Sequence, residues 1–178
     1  MWARGAADEI SPKQLGRDIK GLKVFQPPDV EPMLDDLPRG EHDQILTLLR
    51  KEEEFQIWGF PAGADRVVHR LKTGDWVLLL DTDRPGGSFV YGGKFFARPG
   101  RPLPSMSERL WGEGKFSLIV FLKGVLTDYD WETFRDNLGY SPNLELRGTT
   151  SSISQMALAR SAYRNEAGLL KAVLGVDV

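Results

Sequence analysis

The stretch that decides the fold is QIWGFPAG (residues 56–63), LKTGDWVLLL (71–80), GSFVYGGKFFA (87–97) and RLWGEGKFSLIVFLKG (109–124). Each piece contains a short apolar run bounded by Gly, Pro or Asp, which is typical of β-strands separated by turns. WVLLL is apolar at every position, as expected for a strand that is buried on both faces. Gly92 and Gly93 lie inside a strand and predict a bulge or a close approach of another part of the chain.

Helical patterns surround these strands. Residues 42–54, 62–73, 130–137 and 151–174 are each predicted as a helix, mainly from apolar residues at helical spacing. Ser11 and Pro12 are typical of a further helix start, and residues 98–104 of a loop. Short strands in close succession, with helices at both ends, predict an α+β fold with a mixed, strongly curved β-sheet or small β-barrel flanked by helices.

Length and composition favour one domain covering residues 1–178. The chain has 178 residues, 41% of them hydrophobic, and a net charge of -2, which leaves room for a local basic face only. It has no cysteine, which fits a cytoplasmic protein, and no apolar run of the ~18–20 residues that span a membrane. His42 and His69 are far apart in sequence, so neither a metal site nor another cofactor is expected.

The order of the motifs resembles a known family. An apolar strand ends in Trp58-Gly59, Gly74-Asp75 precedes a hydrophobic strand, and Leu110-Trp111-Gly112 precedes another. This order resembles the EVE and YTH-like branch of the PUA superfamily, most of all the domains at the N-terminus of McrBC-type or HNH-fused restriction proteins that depend on DNA modification. The similar part covers residues 55–148. The resemblance implies a PUA-like core over about residues 22–148, with helix 151–174 packing on it or leading to an effector domain.

The resemblance implies a binding module, not an enzyme. Members of this superfamily hold one flipped nucleotide in a pocket walled by aromatic side chains. Trp58 matches the first of these aromatics, and Trp111 and Tyr91 are candidates for the other walls. Asp81 or Asp83 is expected to accept a hydrogen bond from the base, although EVE sequences usually carry a pair such as Tyr-His there. The predicted base pocket therefore comprises Trp58, Gly59, Phe60, Asp81, Asp83, Tyr91 and Trp111.

In such a pocket, stacking on aromatic side chains can offset the free-energy cost of flipping the base. Flipping a base out of a duplex costs a few kcal/mol, and stacking on one aromatic side chain returns ~1–3 kcal/mol. Burying one methyl carbon contributes about 0.8 kcal/mol. A pocket that fits the methyl group closely is expected to prefer the methylated base over the plain base by about 10- to 200-fold. A methyl reader built in this way is expected to be selective but not absolute.

Basic residues near the predicted pocket suggest contacts with the nucleic-acid backbone. Candidates are Arg66, Arg70, Lys72, Arg84, Lys94, Arg98 and Arg101. The expected partner is DNA with a methylated base, either N6-methyladenine or 5-methylcytosine. A nuclease or NTPase effector, in the same chain or operon, is a further expected partner.

Other interpretations of the same residues stay open. The module resembles RNA-binding PUA or ASCH domains as well, which would make a modified nucleotide in RNA the ligand. A nuclease would need residues such as Asp83 and Glu145, but LELR (144–147) has Arg where a PD-(D/E)xK site needs Lys. A protein-interaction domain is a further alternative. Trp58 and Trp111 are alternatively packing residues, Asp81 and Asp83 are alternatively turn residues, and Trp76 and Trp131 are predicted to be in the core.

Overall fold

The computed structural model describes residues 2–4, 23–82, 84–144, 150–151 and 153–177. The strands are β1 (Trp2–Arg4), β2 (Gln56–Phe60), β3 (Trp76–Asp81), β4 (Ser88–Ala97), β5 (Leu118–Asp130) and β6 (Thr150–Ser151). The α-helices are α1 (Pro27–Val30), α2 (Arg39–Glu52), α3 (Asp65–Val68), α4 (Pro104–Trp111), α5 (Trp131–Asn137), α6 (Gln155–Arg160) and α7 (Glu166–Leu174). Two 3₁₀ turns cover Glu31–Met33 and Ala62–Ala64.

The strands form one sheet in the order β2-β5-β4-β3-β1-β6. Strands β2 to β5 are antiparallel neighbours and form a strongly curled half-barrel. Strand β1 runs parallel to β3, which makes the sheet mixed. The predicted α+β class with a strongly curved sheet is therefore confirmed.

Side chains alternate between the two faces of the sheet and so build separate cores. On β3, Val77 and Leu79 face the inner core, whereas Leu78 and Leu80 face the opposite side. The inner core is closed by Val68 of α3 and the adjoining loop. Its other members include Trp58, Phe60, Val90, Tyr91, Phe95, Phe116, Leu118, Val120 and Leu122.

Two outer cores cover the opposite face. The C-terminal outer core packs helices α5, α6 and α7 on β3 and β4. The N-terminal outer core packs helices α1, α2 and α4 on β2 and β5. The predicted close approach at Gly92 and Gly93 is present, because Leu174 of α7 packs on Gly92 and the ring of Tyr91 packs on Gly93.

The helix predicted over residues 151–174 is instead two helices, α6 and α7. Ser161 ends α6 in an extended conformation, and its hydroxyl donates to the carbonyl of Leu158. Arg164 has φ 69°, which a helix cannot contain. The Asn165 side chain then accepts from the amide of Gly168 and starts α7. Local hydrogen bonds by Ser and Asn side chains thus interrupt the apolar periodicity.

Other predicted elements differ in extent. The helix predicted over 62–73 is confined to the 3₁₀ turn and the four residues of α3. The strand within the stretch 109–124 starts at Leu118 and continues beyond that stretch to Asp130. Helix α4 was not predicted; it starts with Pro104 at its first position and ends at Gly112 in the left-handed conformation. The helix start at Ser11 and Pro12 lies outside the described residues, as do Asp83 and Glu145. No described helix combines the length and the apolarity needed to cross a bilayer.

Candidate nucleic-acid interface

Trp58 lies in the inner core and is 5% exposed. It is the third residue of β2 and pairs with Val120 of β5. Its indole Nε1 is the one buried side-chain polar atom without a hydrogen-bond partner in the described part of the chain. A ligand would reach this ring only after neighbouring core side chains had moved.

Trp111 approaches β2 from the face opposite to Trp58. A Cβ at Gly59 would lie 2.6 Å from Cη2 of Trp111, and the Cβ of Gly59 and the side chain of Trp58 point to opposite faces of the strand. The Trp111 ring also packs edge-on against Phe116, with centroids 6.0 Å apart. Phe60 is 1% exposed in the inner core. Trp111 therefore meets β2 on the face opposite to Trp58, and at Phe116 it also packs against the edge of the inner core.

Tyr91 is buried inside the curl of the sheet. Its hydroxyl donates to Oε1 of Gln56 over 2.9 Å, which ties β4 to β2 across the inner core. Burial raises the pKa of this phenol well above its ordinary value, because the phenolate would lose its hydration. Tyr91 is thus a buried, neutral, hydrogen-bonded member of the same core as Trp58.

Asp81 lies at the other end of the sheet from Trp58. Its register partner is Ser88, which in turn pairs with Asp130, whereas Trp58 pairs with Val120. Positions 120 and 130 are separated by about 33 Å of chain length at ~3.3 Å per residue. Asp81 is buried and pairs instead with Arg84 Nε at 3.3 Å. The sheet therefore places Asp81 and Trp58 at distant register positions.

Three of the predicted backbone-contacting arginines have internal partners. Arg84 also pairs with Asp128 at 2.7 Å, and Arg101 pairs with Glu41 at 3.3 Å. Arg98 donates to the carbonyls of Val68, Leu71 and His69 over 2.9 to 3.0 Å. These contacts satisfy the last carbonyls of α3 and the loop after it.

The other four predicted cations form a basic patch, defined here as Arg66, Arg70, Lys72 and Lys94. All four are exposed, and none forms an ion pair within the described ranges. Lys94 extends beside the turn before β3, since a Cβ on Gly74 would lie 3.8 Å from its Cε. Because these charges have no ion-pair partner among the described residues, they are available to an anionic ligand.

A cavity of about 230 Å³ adjoins this patch; we call it the Trp76 cavity. It lies between β3 and helices α6 and α7. Its apolar wall comprises Leu78, Ile153, Leu158, Leu169 and Leu170, and its polar residues are Arg70, Asp75, Gln155 and Glu166. Trp76, predicted to be in the core, is only half-buried and lines the cavity. Trp131, by contrast, is in the core as predicted.

Sequence reasoning missed Trp76 because it was treated as part of the apolar run 76–80. The signal lies in its position, since it is the first residue of β3, directly after the Gly74-Asp75 turn. At the end of a strand, an outward-facing aromatic is covered only if a neighbouring element happens to reach it. Within the described ranges, Trp76 packs at the edge of the C-terminal outer core, and the cavity adjoins it there.

No protein-family model, curated protein or solved structure matches this chain in the three comparisons made. The resemblance to the EVE and YTH-like branch therefore stays a prediction from the sequence motifs.

Proposed function

We propose that this chain is a nucleic-acid-binding module that recognises a methylated base in DNA, and that it directs a nuclease or NTPase effector, in the same chain or operon, to modified DNA. The observation that carries the proposal is the basic patch. Its four cations are exposed and have no ion-pair partner in the described part of the chain, and one of them, Arg70, lines a cavity that also contains Trp76. Phosphate contacts by Lys and Arg supply most of the sequence-independent affinity for DNA, and aromatic stacking supplies the capture of a base.

The near-neutral net charge is consistent with this assignment. Arg84 and Arg101 are paired with nearby carboxylates. The positive charge of the basic patch is therefore a local feature of the surface. Four phosphate contacts predict a slope of log affinity against log salt of about -3.6, or roughly 150-fold weaker binding between 50 and 200 mM salt.

The test is a binding titration by fluorescence anisotropy. One duplex sequence is prepared without methylation, with N6-methyladenine, with 5-methylcytosine, and as RNA. We expect one methylated DNA duplex to bind about 10- to 200-fold more tightly than the plain duplex. Equal binding of plain and methylated DNA, or a preference for RNA, would overturn the proposal.

A charge-reversal pair tests the basic patch itself. Arg66→Glu with Arg70→Glu should weaken binding to every duplex and flatten the salt slope by about 1 for each phosphate that is no longer bound. The matched control is Arg39→Glu with Lys51→Glu on helix α2, which changes the charge equally on another exposed surface. If both pairs weaken binding alike, the basic patch is not the interface.

A further inference from the structure

The Trp76 cavity has the composition of a site for one planar heteroaromatic ring. We infer that it holds the nucleobase of the bound nucleic acid, with Trp76 as the stacking wall. The inference rests on the proposed function and assigns its base-binding site to a different place from the one predicted around Trp58. Trp58 is 5% exposed and packed in the inner core, whereas Trp76 is half-buried beside an open cavity.

The wall of the cavity favours an apolar, flat ligand. Trp76 and Leu78 alternate with Val77, so they share the face of β3 that turns toward helices α6 and α7. Leu169 and Leu170 of α7 line the cavity but are only 4% and 2% exposed, so its accessible apolar surface comes mainly from the half-buried Trp76 and Ile153. An aromatic base would stack on the exposed part of Trp76, and stacking on one aromatic contributes ~1–3 kcal/mol.

The polar residues favour a ring with both donors and acceptors on its edge. Asp75 and Glu166 accept hydrogen bonds, Arg70 donates them, and Gln155 does both. One oxygen of Asp75 already accepts from the amide of Lys72 over 2.9 Å, which fixes the orientation of that carboxylate. An exocyclic amino group and a ring nitrogen, as in adenine and cytosine, match such a mixed edge.

The cavity is small. Its 230 Å³ is below the range of about 300–1,000 Å³ that is typical of sites for drug-sized molecules and cofactors. Its volume is consistent with a single base as the buried part of the ligand.

The surroundings of the cavity supply the charge that a nucleotide needs. Lys94 is the direct cross-strand partner of Trp76, so both side chains lie on the same face of the sheet. Arg70 belongs to both the cavity and the basic patch. A base on Trp76 would thus place its phosphates toward Arg70 and Lys94.

The test labels the protein with 5-fluorotryptophan and follows the five tryptophan signals by ¹⁹F NMR. The signals of Trp76 and Trp58 are assigned with Trp76→Phe and Trp58→Phe. Adding the preferred methylated duplex should shift the Trp76 signal and leave the Trp58 signal in place. A shift of Trp58 without a shift of Trp76 would overturn the inference and favour the pocket predicted from sequence.

Substitutions give the second measurement. Trp76→Ala should weaken binding of the methylated duplex by about 5- to 160-fold, the equivalent of ~1–3 kcal/mol, and Trp76→Phe should recover part of the loss. Circular dichroism and thermal unfolding check that both variants fold. A folded Trp76→Ala variant with unchanged affinity would contradict the inference.

The failures of the two proposals are distinguishable. If the wild-type protein binds no methylated duplex selectively, the proposed function fails. If the wild-type protein does bind a methylated duplex selectively, but the ¹⁹F signal of Trp76 does not shift and the affinity does not change in Trp76→Ala, only the assignment of the cavity fails. Free N6-methyladenosine and 5-methylcytidine form a third arm, in which a shift of Trp76 alone supports the cavity even without DNA binding.

Discussion

Leu174 of helix α7 packs directly on Gly92 of strand β4. A Cβ on Gly92 would lie 2.5 Å from Cδ1 of Leu174, well inside van der Waals contact. Gly92 pairs with Leu78 of β3, which is part of the wall of the Trp76 cavity. The missing side chain at one position therefore sets how closely α7 approaches the sheet, and with it the depth of the cavity.

Gly92→Ala is expected to lower the free energy of unfolding by about 1–3 kcal/mol, because the added methyl group overpacks this contact. It should also weaken binding of methylated DNA, since α7 is pushed outward. Urea denaturation and the anisotropy assay measure the two effects. Gly40→Ala is the control: Gly40 lies in α2 with nothing near its missing Cβ, and we expect no loss of stability there.

Two buried tyrosines predict a loss of stability in alkali. Burial raises the pKa of Tyr91 and of Tyr163, and the hydrogen bond with Tyr129 raises that of Tyr163 further. The folded state therefore favours the protonated phenols. Their contribution is complete below the unfolded pKa of about 10 and is lost as the pH rises toward the higher folded values, by at most ~1.4 kcal/mol per pH unit for each group.

Urea denaturation between pH 8 and 11.5 measures this decline. A variant that combines Tyr91→Phe with Tyr163→Phe should be less stable at pH 8, because Gln56 and Tyr129 lose a partner, but should depend less on pH above 10. Equal pH dependence in the variant and the wild type would show that other groups cause the decline.

Because the indole Nε1 of Trp58 has no hydrogen-bond partner in the described part of the chain, Trp58→Ala and Trp58→Phe are expected to lower the stability by different amounts. Trp58→Ala removes a buried ring and is expected to cost about 3–5 kcal/mol of stability. Trp58→Phe keeps an aromatic ring and removes a donor whose burial costs ~1–3 kcal/mol, so its net cost should be much smaller. Thermal unfolding and urea titration measure both. Loss of methyl selectivity in a fully folded Trp58→Phe variant would restore the sequence-based role of Trp58.

Arg98 and Arg101 offer a matched pair of substitutions. Arg98→Ala should cost about 1.5–3 kcal/mol, because three carbonyls lose a charged donor. Arg98→Lys should not restore this, since an ammonium group lacks the planar fork of guanidinium. Arg101→Ala breaks only an exposed ion pair with Glu41 and should cost ~0–1 kcal/mol. If urea denaturation shows similar losses of stability for Arg98→Ala and Arg101→Ala, Arg98 does not stabilise the loop through its three hydrogen bonds.

The sequence predicted the elements well where the local pattern determines them. The apolar runs that became β2, β3, β4 and the first half of β5 are bounded by turn residues, so their limits follow from local chemistry. Asp130 caps α5 by accepting from the amide of Thr133, as acidic residues at a helix start indicate. These features need no knowledge of the rest of the chain.

Prediction was weaker where distant parts of the chain meet. Trp58 and Asp81 are close to each other in the order of motifs, but the register of β5 separates them. Gly92 indicated a close approach without identifying Leu174 as the residue that packs on it. Trp76 became a cavity residue only because α6 and α7 pack around it, and that arrangement depends on tertiary contacts.

The three hydrogen bonds from Arg98 have a kinetic consequence. They hold the loop that carries Arg70 and Lys72 in a defined conformation within the folded chain. The entropy lost in ordering this loop therefore belongs to folding and not to complex formation. Encounter with an anionic ligand should then be governed by diffusion and charge, so that added salt slows association much more than it speeds dissociation.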